Sequence, residues 1–134
     1  MNINKRDKLI AGVDEAGRGS GVRFHLDVEV AHLPGAMALL VYHIAREGVK
    51  NSLQHARATD IWVTVREEHG SIVLEVRDNG VGFDPPTPGP EGRFGVEMMS
   101  DRAQVGGGTF EMRGAPGEGT KVRARFPTSI FGPG

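Results

Sequence analysis

The chain has 134 residues, 38% of them hydrophobic, which suits one compact domain with its own core rather than two small ones. Sixteen lysines and arginines stand against seventeen acidic residues, a net charge of −1, so a polyanion-coating role is excluded and no nucleic-acid partner is expected. The absence of cysteine rules out a disulfide framework, a thiolate metal site and a cysteine nucleophile, and no apolar run is long enough to span a bilayer, so a cytoplasmic domain is expected.

In chain order, residues 1–21 differ from the rest, with two of the four lysines in the first eight positions, and are expected to be an appended or linker segment ending in the joint Gly19-Ser20-Gly21. Val22, Phe24, Leu26, Val28 and Val30 then alternate with polar residues, which predicts a half-buried strand over about 22–30. Pro34 suits the first turn of a helix running to about Ala58. At about 100° per residue its apolar face carries Met37, Leu40, Val41 and Ile44 and becomes polar further on, where Glu47, Asn51 and His55 follow at intervals of four. Ile61, Val63 and Val65, a turn at 67–70, and Ile72, Leu74 and Val76 predict a β-hairpin. Its second strand ends in Asp78-Asn79-Gly80-Val81-Gly82-Phe83, and a proline-rich loop follows. A second helix is expected over about 95–105, then strands at 109–113 and 120–126 around a turn at 114–119. The tail is 128–134. This order, with hairpins rather than crossovers, predicts an α+β two-layer sandwich: a mixed, mainly antiparallel sheet with helices on one face.

Three segments are candidates for one ligand site. Glu47, Asn51 and His55 form a polar stripe on one helix face, and the Asn51 carboxamide is a hard oxygen donor suited to Mg²⁺. Asp78 with Gly80 and Gly82 offers a carboxylate beside backbone that a flat ring can approach. Gly92-Arg93-Phe94-Gly95-Val96 lies at a helix start, where free N–H groups and the dipole favour phosphate. Each alone has a plainer reading: a solvated stripe, an Asp-Asn-Gly turn, an ordinary glycine-rich loop.

Together and in this order they resemble the asparagine-bearing box and the two glycine boxes of the GHKL ATPase superfamily, carried by residues 44–56, 78–83 and 92–103. Within it the likeness is to the catalytic ATP-binding domain of sensor histidine kinases that work with NarL/LuxR-type response regulators, and it covers about 22–127. The resemblance implies the Bergerat fold, ATP or ADP as ligand and Mg²⁺ as cofactor. It implies that Asn51 holds Mg²⁺ and that Glu47 is catalytic, orienting water or the attacking group. It further implies that Asp78 reads the adenine amine, with Gly80 and Gly82 giving the ring room. Gly92 and Gly95 let a lid close, with His55, Arg93, Phe94 and Val96 lining the nucleotide site. Thr120 supports the adenine end through its hydroxyl. Gln54 departs from the family's usual lysine, and Arg93-Phe94 from a further glycine. None of the five histidines sits on a dimerising helical hairpin, so the phosphoacceptor histidine is expected on a dimerisation domain outside this chain. The isolated domain is then a monomer that does not phosphorylate itself, and its parent kinase is membrane-anchored. Two alternatives within the superfamily are an anti-sigma factor serine kinase and a binding module without catalysis. Residues 9–19 separately resemble the first motif of type-two ribonuclease H, but an isolated Asp14-Glu15 pair builds no two-metal site.

Overall fold

A computed structural model of the protein describes residues 18–30, 35–81, 90–115 and 117–128 and the single positions Ala11, Glu15 and Leu33, with backbone only at 55, 56 and 90–94. Most of the expected appended segment therefore lies outside the described residues, as do Gly82 and almost all of the tail.

Strand β1 (Arg23–Glu29) leads into helix α1 (Gly35–Asn51), which continues as a π-helical turn at Ser52–Ala56. Strands β2 (Asp60–Glu68) and β3 (Ser71–Asp78) form a hairpin, helix α2 spans Pro90–Val105, and strands β4 (Thr109–Ala115) and β5 (Gly119–Pro127) close the fold. The five strands make one sheet in the order β1-β2-β3-β5-β4. Three of its four pairings are antiparallel. The fourth, β1 with β2, is parallel, because α1 carries the chain back to the starting end of the sheet. That crossover corrects the expectation of hairpins alone. The sheet is mixed and mainly antiparallel, as the alternating patterns imply.

Alternation decides what each strand buries. Ile61, Val63 and Val65 of β2, Ile72, Leu74 and Val76 of β3 and Val122, Ala124 and Phe126 of β5 point to the helices and are buried. They meet Met37, Val41, Ile44, Ala45 and Val49 of α1 and Met99 and Ala103 of α2 in one cluster. Each large side chain contributes about 1.5–3 kcal/mol by leaving water. Gly48 faces β3, where an added Cβ would lie 3.2 Å from Val76, so the helix packs close to the strand that ends in Asp78.

Two helix boundaries differ from the sequence reading. Helix α2 starts at Pro90, not near 95: a proline is favourable in a first helical turn, and backbone expected in the lid loop is helical. The first helix does not reach Ala58. It widens into a π turn after Asn51 and stops at Arg57, whose backbone is left-handed with φ of 53°. Single π turns inside helices are often found at functional sites, and this one brings Ser52 to the end of β3.

Candidate nucleotide site

Asp78 ends the central strand β3, opposite Thr120 of β5, and is only 3% exposed. Its Oδ1 accepts hydrogen bonds from the backbone N–H groups of Gly80 (2.9 Å) and Thr120 (3.2 Å), and its Oδ2 accepts from the Ser52 hydroxyl at 2.7 Å. A carboxylate offers about four lone-pair positions, so among the described residues one remains without a donor, on Oδ2. Among the described residues no lysine, arginine or histidine forms an ion pair with it. A buried side-chain oxygen with an acceptor position to spare is well suited to receive a donor from a ligand.

The turn between β4 and β5 closes against the same backbone. Gly117 N–H donates to the Val81 carbonyl at 2.6 Å. Gly119 has φ of +79°, and a Cβ there would run into the Asp78 carbonyl oxygen. Sequence reading places Gly119 in a turn; in the fold it is a wall of the site. Thr120 is brought to Asp78 through its backbone N–H.

Glu47 and Asn51 occupy one flank of α1 four residues apart, both half-buried, and α2 crosses them at Gly95. A Cβ at Gly95 would collide with Glu47 Oε1 and lie 3.3 Å from Asn51 Nδ2, so the missing side chain lets the helices approach at these two polar groups. Val96, next along, packs on the core. Gly80 is buried beside Asp78. The structure thus gathers Glu47, Asn51, Asp78, Gly80, Gly95 and Thr120 at one end of the helix-covered side. Gly92, Arg93 and Phe94 lie on the helical backbone of α2 and His55 on that of the π turn, with side chains outside the described residues. Gly95→Ala is expected to displace Glu47 while leaving the fold intact, because the obstructing atoms end a flexible side chain. The domain should melt within a few degrees of wild type; a much larger loss in a thermal melt would show that the Glu47 side chain cannot yield to the added methyl.

The sequence reading gave Ser52 no role in the site. Its signal was available: a hydroxyl continuing the apolar face of Ile44 and Gly48 needs a buried partner. His43, which extends the polar stripe, is half-buried, and burial lowers its pKa, with the charges of Arg102 and Arg46 adding to the effect. Among the described residues no cluster of three or more histidine, aspartate or glutamate side chains is arranged to hold a metal. Asn51 with a neighbouring carboxylate nevertheless fits Mg²⁺, which is commonly held by one or two protein groups plus substrate phosphates.

The sequence profile of the histidine kinase-, DNA gyrase B- and HSP90-like ATPases matches residues 37–130. The chain belongs to this ATPase family. Over 115 residues the ATPase domain is 30% identical to the signal transduction histidine-protein kinase/phosphatase DegS of Brevibacillus brevis, covering 86% of this chain and 27% of that protein. Over 95 residues it is 37% identical to the nitrate/nitrite sensor protein NarQ of Escherichia coli, covering 70% of this chain and 17% of NarQ. The chain therefore spans about a quarter or less of these two relatives. Its fold superimposes on a histidine kinase domain from the blue-light activated histidine kinase of Erythrobacter litoralis with a TM-score of 0.78 and 21% identity, covering 95% of this chain and 62% of that one. Among the described residues of the ATPase domain no helix is long and apolar enough to cross a membrane.

Proposed function

We propose that residues 22–127 form the ATP-binding catalytic domain of a sensor histidine kinase, which binds Mg-ATP and passes its γ-phosphate to a histidine on a separate dimerisation domain. The observation that carries this reading is the buried Asp78 carboxylate, with one free acceptor position, at the same end of the fold as the Glu47–Asn51 pair. Asp78 accepts a hydrogen bond from the adenine amine, and Gly80 and Gly82 leave space for the ring. Thr120 braces that carboxylate. Asn51 holds the metal, and Glu47 orients the attacking group. Gly92, Arg93, Phe94, Gly95 and Val96 cover the phosphates, with His55 in the π turn after α1. Mg²⁺, when bound, neutralises charge on the phosphate oxygens. The partners that follow are the histidine-bearing dimerisation domain and, through it, a response regulator of the NarL/LuxR type. The domain then works at the cytoplasmic face of a membrane-anchored kinase and is monomeric when isolated.

Calorimetric titration with ADP and Mg²⁺ tests the nucleotide site: binding is expected in wild type and its loss in Asp78→Ala, and affinity unaffected by that substitution would remove the proposal. Incubation with a cognate dimerisation domain and labelled ATP tests the kinase. Acid-labile label on histidine is expected; acid-stable label on serine would instead make the chain an anti-sigma-type kinase, and binding without transfer a module that only binds.

A further inference from the structure

Asn79, the residue after the buried carboxylate, is exposed, yet its side chain is fully engaged. Its Oδ1 accepts from the backbone N–H groups of Thr59 and Asp60, both at 3.0 Å, and its Nδ2 donates to Thr59 Oγ1 at 2.9 Å and to Asp60 Oδ2 at 3.4 Å. Its own N–H donates to the Asp60 carbonyl at 3.4 Å. The end of β3 is therefore stitched to the start of β2.

The anchor is itself held. Asp60, 6% exposed, receives both Nε and Nη2 of Arg23 at 3.0 Å, lies 2.8 Å from His25 Nε2 and accepts from Thr59 Oγ1 at 2.6 Å. Hydrogen bonds from Arg23, His25 and Thr59 keep its carboxyl well below the usual carboxylate range, so it is an anion at neutral pH. Trp62 completes the support: His25 stacks on it with ring centres 5.1 Å apart, and the Arg77 guanidinium lies 4.4 Å from its ring centre.

The consequence reaches Asp78 through one peptide. Gly80 N–H, which holds Asp78 Oδ1, belongs to the peptide that Asn79 begins, so fixing Asn79 fixes that donor. With Oδ1 occupied twice, Oδ2 is the oxygen left for a ligand. We propose that Asn79, anchored by Asp60, is a positioning residue that selects which oxygen of Asp78 meets a nucleobase amine, and so sets the preference of the site for an amino-bearing purine. The proposal rests on the reading that Asp78 accepts from adenine.

The test compares ADP with purine riboside 5′-diphosphate, which lacks the exocyclic amine, by calorimetry in Mg²⁺. Wild type is expected to favour ADP by about tenfold, the worth of one hydrogen bond to a buried charged group. In Asn79→Ala the ratio should fall below roughly threefold, with affinity for the amine-free analogue nearly unchanged. A merely structural role would weaken both ligands alike and keep the ratio, which would overturn the proposal. Should Asn79→Ala not fold, Asn79→Asp serves: it keeps the Oδ1 acceptor but sets an oxygen against Asp60 Oδ2, and an unaltered ratio there is equally fatal. If wild type shows no preference, or Asp78→Ala retains it, the adenine reading itself fails and the proposal falls with it; a preference lost in Asp78→Ala but kept in Asn79→Ala rejects the positioning role alone.

Discussion

Gly119→Ala is expected to be among the most damaging single-methyl changes in the domain. Left-handed backbone costs an L-residue about 1–2 kcal/mol, and at Gly119 the new Cβ would also strike the Asp78 carbonyl oxygen, part of a central strand that cannot swing aside. A total of roughly 3 kcal/mol is anticipated, within the range of severe single mutations. That corresponds to a melting point lower by about 12 °C or more for a domain of this size. Gly117→Ala is the control, because Gly117 has the same φ of +79° but nothing within 4 Å of its Cβ position; it should lose only the conformational part. Thermal melts of the two variants separate the contributions. Equal losses would mean that the turn does not press on the end of β3.

Asp78→Asn is expected to do the opposite, sparing the fold while disabling the site. The amide oxygen can take over from Oδ1 as acceptor for Gly80 and Thr120, and the new Nδ2 can donate to Ser52 Oγ, so each internal partner is kept. What changes is the polarity of the one free position, from acceptor to donor. An adenine amine would then face another donor, an unmade bond in a buried place costing about 2–3 kcal/mol, or roughly 30- to 150-fold in affinity. A melt within a few degrees of wild type and much weaker ADP titration are the expected pair of results. Inosine 5′-diphosphate, with an oxygen where adenine has its amine, should be penalised less than ADP. If ADP binds the variant as it binds wild type, Asp78 does not contact the base.

What the sequence disclosed followed the reach of its patterns. Alternation at 61–65, 72–76 and 120–126 and the helical spacing of Met37, Val41 and Ile44 are local signals, and the elements they mark occur in the fold. The candidate site follows the same regularities in part, as with the four-residue step from Glu47 to Asn51. The links between segments were not. Ser52 reaches Asp78 across 26 positions and Thr120 across 42, and no local period records which distant backbone meets which side chain. Asn79 looks like an ordinary turn residue because its partners, Thr59 and Asp60, lie where the preceding strand begins, 19 and 20 positions away. Trp62 lies on β2, an inner strand, where its indole meets both His25 and Arg77; only the parallel docking of β1 places that imidazole there.

That parallel strand also determines where mechanical load enters the domain. Arg23 pairs with Asp60, and Ile61 pairs with Asp78, so the chain arrives at the end of the sheet that carries Asp78, about two strand spacings, or roughly 10 Å, to one side of it. It leaves at the other end, where Pro127 pairs with Ser71. Tension on the segment ahead of Arg23 is therefore borne first by the Arg23–Asp60 contact, at the Asp78 end, whereas tension on the segment after Pro127 is applied a full strand length away.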